Sequence, residues 1–343
     1  MNTLRLASAI LLMGSSLGFC GKVVNVYLWG DDIPKKIIHR FERESGVTVH
    51  LSSYDSSETM YTKLSASSNN TYDVVMPSGN YVQRMQRRGL LAKMDHRRLP
   101  NLKNLDAMFL HTNYDPGNQY SIPLTWGSSG IFYNETQIHH APTKWTQLWR
   151  KAYTRRLLLL DDAREIFSMA MMGLGYSPND TNPAHIDKAY KQLQKLIPNI
   201  KLFANDGLQA MLIDGDANIG VVWNSDAYKA HTENSAIRYI YPKEGFIIWI
   251  DNLAITSNAP HVKEAYEFIN FMLKPSISAE IGATRGLAIT NKRGKALLPP
   301  SVRNNITIYP TKKTLKRGHF QQDVGEETNT LYMNYWQALK LQF

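Results

Sequence analysis

The amino-acid sequence predicts an α/β protein made of two units, each built on a mainly parallel sheet flanked by helices. Apolar runs typical of buried strands alternate with amphipathic runs typical of helices, and this alternation indicates a parallel sheet with helices on its faces. The pattern restarts near residues 119–134. A chain of 343 residues with 43% hydrophobic residues is long enough for roughly two domains, so the restart predicts a second unit.

The first unit begins with a strand predicted at residues 23–29, VVNVYLW, whose continuous apolar side chains are typical of a strand buried on both faces. A helix is predicted over 34–46, because Pro34 suits the first turn, apolar residues share one face and Gly46 can end the helix. The next elements are predicted as strand 47–54, helix 58–67, strand 72–78 and helix 81–89.

The second unit carries a leucine run at 156–160, RLLLL, which predicts another buried strand. The elements that follow are predicted as helix 163–175, helix 184–197, strand 218–224, strand 246–255, helix 261–273 and a last helix bearing Tyr and Trp residues. The sequence contains no internal repeat and no low-complexity tract.

The N-terminus has the layout of a bacterial secretory signal, with one Arg, an apolar run at residues 6–13 and small residues after it. The apolar run is too short to span a membrane. We expect residues 1–20 to be a signal peptide that directs export to the periplasm. The alternative is a lipoprotein anchored through Cys20, but Phe19 is bulky where lipoprotein signals have a small residue.

The net charge of +10 does not by itself indicate a nucleic-acid partner. Lys and Arg occur mostly in short pairs scattered along predicted helices, including the pair at 87–88. A nucleic-acid site would need them clustered on one face among stacking aromatic side chains. Solvated helix faces therefore explain the positive charge better, and we expect no nucleic-acid binding.

Candidate binding residues follow from the rule that ligands of open α/β sheets sit beyond the carboxyl ends of the strands. Tryptophans and carboxylates recur at these ends, and such a pocket suits an elongated organic cation whose ammoniums pair with carboxylates and whose methylenes lie along indole rings. The candidates are Trp29, Asp31, Asp32, Ser78, Asn80, Asp162, Glu165, Trp223, Trp249 and Asp251.

Each of these residues also has a structural interpretation. Asp162 and Glu165 have the spacing of a capping box, and Asp32 before Pro34 is a plausible helix cap. Trp223 and Trp249 could be ordinary core aromatics, since Trp is highly buried on average. The sequence leaves these alternatives open, and the binding interpretation depends on the residues lying together.

Catalytic motifs are scarce. The sequence has no HExxH, no Gly-rich phosphate loop and no CxxC, and the WGSSG at 126–130 lacks the spacing of a nucleophile elbow. A glycosidase needs two opposed carboxylates, whereas Asp162 and Glu165 are one helical turn apart. The histidines show no metal-ligand spacing. We therefore expect no enzyme activity and neither metal nor cofactor, with a carboxylate-dependent hydrolase as the alternative.

Several stretches resemble the polyamine-binding (spermidine/putrescine) periplasmic proteins of bacterial ABC transporters, from about residue 23 to the C-terminus. They include YLWGDDIP, YDVVMPS, LLLLDDAREIF, VVWNSDA, YPKEGFIIWIDNLAI and FQQDVG. The resemblance implies a two-lobed periplasmic binding protein fold with the polyamine held between the lobes. Its binding positions fall on Trp29, Asp31, Ser78, Asp162, Glu165, Trp223, Trp249, Asp251 and Gln321.

The resemblance also implies that the chain is divided into two lobes and that it delivers its ligand to a transporter. Lobe 1 would comprise residues 23–120 plus 252–298, and lobe 2 residues 121–251 plus 299–343. The lobes would close around the polyamine by hinge motion, and the loaded protein would deliver it to the permease subunits of an ABC transporter. We expect the protein to act as a monomer.

The sequence departs from the resemblance at Asp32, Asn80 and Leu287, where spermidine binders have tyrosines. Of these three residues, Asp32 adds a carboxylate to Asp31, Asp162, Glu165 and Asp251. Five carboxylates are more than a diamine with two charges can neutralise, and a buried carboxylate without a partner is costly. We therefore expect spermidine to be preferred over putrescine. The alternatives are another organic cation or amino compound as ligand, or an adhesive lipoprotein.

Overall fold

The computed structural model describes residues 21–30, 32–66 and 71–343, so the predicted signal peptide at 1–20 and the candidate Asp31 lie outside the described residues. The strands are β1 Lys22–Trp29, β2 Val47–Tyr54, β3 Val74–Val75, β4 Ile122–Asn134, β5 Leu157–Leu160, β6 Ile200–Ala204, β7 Ile219–Trp223, β8 Ile237–Ile240, β9 Phe246–Ile255, β10 Ala288–Ile289 and β11 Gly318–Phe320.

The strands are joined by α-helices and short 3₁₀ turns. The helices are α1 Lys35–Ser45, α2 Ser57–Ala66, α3 Gly79–Arg87, α4 Ala163–Gly173, α5 Pro183–Leu196, α6 Leu208–Asp214, α7 Asn224–Glu233, α8 Val262–Met272, α9 Pro275–Arg285, α10 Lys292–Leu297, α11 Pro300–Arg303, α12 Lys312–Leu315 and α13 Glu326–Lys340. None of the helices within the described ranges is long and apolar enough to cross a membrane.

The outer strands of the sheet are parallel, as the alternation of strands and helices predicts. Strand β1 pairs in parallel with β2 and β3, and β5 pairs in parallel with β6 and β7. The strand order is β2-β1-β3-β9-β4-β7-β5-β6. The fold is therefore α/β with two parallel groups of strands, which we call the β1–β3 group and the β5–β7 group.

The centre of the sheet is antiparallel. Strand β9 runs against both β3 and β4, and β4 runs against β7. The C-terminal end of β9 pairs with β3 through Ala254 and Ile255, while the stretch from Ile247 to Leu253 pairs with β4. Because β9 contributes to both strand groups, β4 and β9 form a two-strand connection between them.

Strand β3 is shorter than the predicted 72–78. The backbone leaves β1 after Val75, because the groups that follow bond elsewhere: the Tyr54 hydroxyl donates to the Met76 carbonyl, and the Asn252 amide donates to the Pro77 carbonyl. Pro77 also has no N–H to donate to a ladder. After β3, the backbone carbonyls of Met76 and Pro77 are therefore held by β2 and β9 and not by β1.

Two apolar cores lie beneath the strands. One packs β1 and β3 against α1, α8 and α9, with Phe41 in edge contact with Phe268 and Phe271. The other surrounds the leucines of β5, includes buried residues of α4 and α5, and extends to residues of the β1–β3 group such as Tyr27 and Val75. Helix α1 follows its predicted course, ending at Gly46 in the left-handed conformation (φ 69°), which suits a glycine.

The packing of β7 on β5 makes a prediction about Gly220. A Cβ added there would lie 1.9 Å from the carbonyl oxygen of Leu158, a backbone atom in a buried strand. We expect Gly220→Ala to lower the free energy of unfolding by about 3 kcal/mol, the upper range for an overpacked core. Urea denaturation followed by circular dichroism measures this.

Gly173→Ala is the matched control, because its Cβ would find only ordinary contact, 3.4 Å from the Thr146 methyl, on helix α4. Alanine in a helix should leave stability unchanged or raise it by about 0.5–1 kcal/mol. Equal stabilities for the two variants would contradict the packing argument.

Candidate ligand-binding site

The described candidate residues converge on one pocket between the two strand groups. Its lining includes Trp29, Asp32, Ser78, Asn80, Asp162, Glu165, Trp223, Trp249, Asp251 and Gln321, which are all the predicted binding residues within the described ranges. The pocket lies at the carboxyl ends of β1, β5 and β7, where the parallel strands lead the chain into helices.

The end of β1 supplies an aromatic wall. Trp29, the last residue of the strand, packs against Tyr54 with 4.6 Å between ring centroids. Asp32 lines the same wall. The predicted alternative, in which Asp32 caps the following helix, is not what the structure contains: the residue at the cap position of α1 is Pro34, with no side-chain capping bond.

Trp249 of β9 lines the pocket, and its ring occupies space that is free because the neighbouring strand carries a glycine at this position. Its partner in register on β4 is Gly127. A Cβ at Gly127 would lie 2.1 Å from Cζ2 of Trp249 and 2.6 Å from Oδ1 of Asn224. That amide oxygen already accepts a hydrogen bond from the Ser128 N–H. Trp249 and Trp223 are half-buried pocket residues rather than core aromatics.

Asp251 follows two residues later on β9 and is 6% exposed. It forms an isolated bridge with Ser78, the residue preceding α3, so the two strand groups meet beside it. Burial raises the pKa of the Asp251 carboxyl well above its ordinary range, and the nearby charge of Asp32 raises it further. A charged ligand that neutralised Asp251 would remove both penalties.

Asp162 begins helix α4 and also lines the pocket. Its side chain accepts a hydrogen bond of 3.0 Å from the Glu165 N–H, so the predicted capping interaction is present. Burial nevertheless raises the pKa of the Asp162 carboxyl, although its backbone hydrogen bonds lower it. The two interpretations of Asp162 are therefore compatible in one residue.

Glu165 lies one helical turn further on and is 8% exposed. Its Oε2 is buried and accepts no hydrogen bond among the residues that the structure describes. Burial, with a further contribution from the charge of Asp162, raises the pKa of the Glu165 carboxyl to about 8. A buried carboxylate oxygen without a donor is costly, and an ammonium group from a ligand would supply one.

Gln321 reaches the pocket from the segment after β11, and its Nε2 donates to the Ser168 hydroxyl of α4 over 3.2 Å. Leu287, one of the three departures from the polyamine binders, also lines the pocket and is buried. Asn80, another departure, lies in the first turn of α3.

The structure adds pocket residues that the sequence interpretation missed. They are Tyr54, Asp55, Tyr81, Arg164, Asp206, Asp226, Lys229 and Arg285, among others. Tyr54 ends β2 and could have been found by the strand-end rule, as could Asp226, which follows β7 by three residues. Tyr81 and Arg285 lie on helices and gave no such signal.

The pocket lining also contains positively charged side chains, namely Arg164, Lys229 and Arg285. Burial raises the pKa of the Asp226 carboxyl, even though the positive charges of Lys229 and Arg285 lower it. The positive charge of Arg164 likewise lowers the pKa of Asp162 and Glu165, although burial still raises both. Within the described residues, no group of three or more His, Cys, Asp or Glu side chains is placed to hold a metal ion.

The geometry is that of a binding cleft between two strand groups, and comparison with known proteins identifies its class. Residues 36–307 match the model of the bacterial extracellular solute-binding protein family. The chain therefore belongs to the bacterial extracellular solute-binding proteins.

Particular relatives are similar over nearly the whole chain. The spermidine/putrescine-binding periplasmic protein of Escherichia coli K12 is 39% identical over 338 residues, which cover 98% of this chain and 97% of that protein. The putrescine-binding periplasmic protein SpuD of Pseudomonas aeruginosa is 30% identical, over 97% of this chain and 96% of the relative.

Solved structures agree with the fold. A putative spermidine/putrescine ABC transporter protein from Listeria monocytogenes superposes with a TM-score of 0.91 at 33% identity, covering 94% of this chain and 100% of the other. These matches confirm the fold class and the resemblance that the sequence motifs indicate. They also identify the chain as a transport protein rather than an enzyme, which sets aside the hydrolase alternative.

The raised pKa of Glu165 makes a prediction about stability without ligand. Between about pH 4.5 and pH 8 the folded protein retains a proton on Glu165 that the unfolded chain has lost, so stability falls as pH rises through this window. We expect Glu165→Gln to remove this loss and to be more stable than the wild type at pH 8 by about 4 kcal/mol.

Urea denaturation of both proteins at pH 5 and pH 8 measures the effect. Glu327→Gln, an exposed residue of α13, is the control for the loss of one negative charge. A Glu165→Gln protein whose stability changes with pH as steeply as that of the wild type would contradict the raised pKa.

Proposed function

We propose that the chain is an extracytoplasmic solute-binding protein that captures a polyamine in the pocket between its strand groups and delivers it to an ABC permease. The observation that carries the proposal is the set of three buried carboxylates, Asp162, Glu165 and Asp251, beside half-buried tryptophans. Burial raises the pKa of all three carboxyls, even though the positive charge of Arg164 lowers the pKa of Asp162 and Glu165, so the protein itself neutralises these groups only in part. The names of the relatives support the same ligand class.

In the proposed complex two pairs of carboxylates bind different ammonium groups of the ligand. Asp162 and Glu165 share one wall and would hold one ammonium group, with Glu165 Oε2 as the acceptor. Asp251 and Asp32 would hold another, since the charge of Asp32 acts on Asp251. Trp29, Trp223 and Trp249 would pack along the methylenes, each of which contributes about 0.8 kcal/mol when buried.

The remaining candidates would fix the ligand's position. Ser78, Asn80 and Gln321 present short polar side chains to the lining and would orient the amine hydrogens. Asp31, which lies outside the described residues, would help to hold the second ammonium group, as the resemblance implies.

The positive net charge does not prevent cation capture. An ammonium about 4 Å from a carboxylate gains roughly 4 kcal/mol at an effective dielectric constant near 20. Charges on the outer surface more than about 8 Å away are largely screened at physiological salt. The local acidic lining therefore determines which ligand enters, in spite of the net charge of +10.

The proposal includes closure of two lobes, with residues 23–120 plus 252–298 in one and 121–251 plus 299–343 in the other. The connection that β4 and β9 make between the two parallel strand groups supports this division. Small changes in β4 and β9 would then close the pocket. The named relatives are periplasmic, so we propose the same location, reached through the signal peptide at 1–20, and action as a monomer.

Polyamine binding should be visible as thermal stabilisation. Spermidine and putrescine should raise the melting temperature by mass action, whereas sugars, sulfate and neutral amino acids should not, because only a polycation can neutralise the buried carboxylates. A thermal-shift panel measures this. No response to any polyamine would contradict the proposed function.

Asp251 should contribute strongly to affinity. We expect Asp251→Asn to weaken polyamine binding by about 2–5 kcal/mol in calorimetry, the range for truncating one partner of a buried charge pair. The ligand-free variant should remain folded, because burial favours the uncharged form of the Asp251 carboxyl and Asn is an uncharged side chain of nearly the same shape. Unchanged affinity would assign Asp251 a structural role.

Asp32 should determine the choice between polyamines. Spermidine carries one more positive charge than putrescine, so we expect wild type to bind spermidine more tightly and Asp32→Asn to weaken spermidine more than putrescine. Asp214→Asn, an exposed residue of α6 outside the pocket lining, is the control. Equal losses for the two ligands, measured by calorimetry, would contradict this role for Asp32.

A further inference from the structure

A group of ionic and polar contacts joins α3 to the chain segment that precedes and begins α13. Arg84 of α3 donates from Nη2 to Glu326 Oε2 over 2.9 Å and from Nη1 to Glu58 Oε2 over 3.3 Å. Its side chain is only 11% exposed. The hydrogen bond from Arg84 lowers the pKa of the Glu326 carboxyl, so the pair is ionised across the neutral range. We call these contacts the Arg84 latch.

The latch has further contacts on both sides. The guanidinium carbon of Arg84 lies 3.9 Å from the ring centroid of Tyr61, and the Tyr61 hydroxyl donates to Glu326 Oε1 over 3.1 Å. Next to it, the Asp323 N–H donates to Gln83 Oε1 over 2.9 Å, and Arg87 forms an ion pair with Asp323. Arg87 belongs to one of the basic pairs that the sequence assigned to a solvated helix face.

The two sides of the latch are anchored in different parts of the fold. Helix α3 directly follows β3 and therefore moves with the β1–β3 group. Helix α13 packs on α4 and α5 instead: Tyr332 is in edge contact with Phe167 at 5.1 Å, and its hydroxyl donates to the Asp180 carbonyl. The latch therefore ties one strand group to the helices of the other.

The latch also touches the pocket without lining it. Tyr81 lines the pocket, and its hydroxyl donates to the same Glu58 oxygen that Arg84 contacts. Gln321 lines the pocket two residues before Asp323. Within the described residues, neither Arg84 nor Glu326 is part of the lining.

We propose that Arg84 and Glu326 are positioning residues that set the affinity of the pocket by stabilising the conformation in which the two strand groups close over it. The inference rests on the proposed function for its ligand. Separation of the strand groups would break the Arg84–Glu326 pair but leave the Arg84–Glu58 pair, because Glu58 is on α2 of the same group. Apparent affinity scales with the population of the binding-competent state, so weakening the latch weakens binding with no change in the pocket.

The test compares Glu326→Gln with Glu327→Gln. Both remove one negative charge from the first turn of α13, and only Glu326 forms an ion pair among the described residues. Calorimetry with spermidine should give a dissociation constant about three- to tenfold weaker for Glu326→Gln and within twofold of wild type for Glu327→Gln. Small-angle X-ray scattering of the ligand-free proteins should give a larger radius of gyration for Glu326→Gln.

Further measurements distinguish an effect of the latch on closure from a loss of overall stability, and distinguish failure of the latch from failure of the proposed function. In a double-mutant cycle with Arg84→Gln, the losses of affinity should be less than additive, and the ligand-free melting temperatures of the two glutamate variants should agree. If Glu326→Gln and Glu327→Gln had equal affinities for spermidine and equal radii of gyration, the proposed role of the latch would be wrong. A wild type that binds no polyamine would contradict the proposed function alone, and the scattering comparison would then decide the latch.

Discussion

The organisation of the molecule depends on burying ionisable carboxyl groups at the ends of parallel strands. Asp162, Glu165 and Asp251 are each buried, and each is held there by a backbone element that has another structural task. Asp162 caps α4, Glu165 lies in its first turn, and Asp251 pairs in register between two strand groups. Their burial is tolerable because the pocket leaves space for a cation beside them.

The antiparallel centre of the sheet makes this arrangement possible. Parallel groups alone would present their carboxyl ends to solvent on separate units. Strand β9 pairs with β3 at one end and with β4 along most of its length, so the ends of β1 and β5 lie on the same pocket. Gly127 completes the arrangement, because any side chain there would collide with Trp249.

The fold class and many of the pocket-lining residues could be predicted from the sequence, because both follow local rules. Strands buried on both faces read as continuous apolar runs, and the side chains that end them are fixed by chain order. Strand β9, residues 246–255, was located correctly on this basis. Its antiparallel direction between β3 and β4 was not, since pairing depends on distant partners.

The residues that could not be predicted from the sequence lie on helices or have partners that are distant along the chain. Tyr81 and Arg285 lie on helices, where a pocket-facing position cannot be distinguished from a solvated one by periodicity alone. Arg87 is exposed, as the solvated helix face predicts, but its ion-pair partner Asp323 lies 236 residues away along the chain. Arg84 is only 11% exposed and bonds to Glu326, 242 residues away. Long-range charge pairing of this kind has no local sequence signature.

The raised pKa of Glu165 has a consequence for the proposed binding of a cation. A carboxyl group with a pKa of about 8 carries a proton in most molecules at neutral pH. A cation that takes its place beside Oε2 must therefore expel that proton into the surrounding medium. Loading the protein then exchanges one positive species for another, and the heat of loading includes the ionisation heat of whichever buffer accepts the proton.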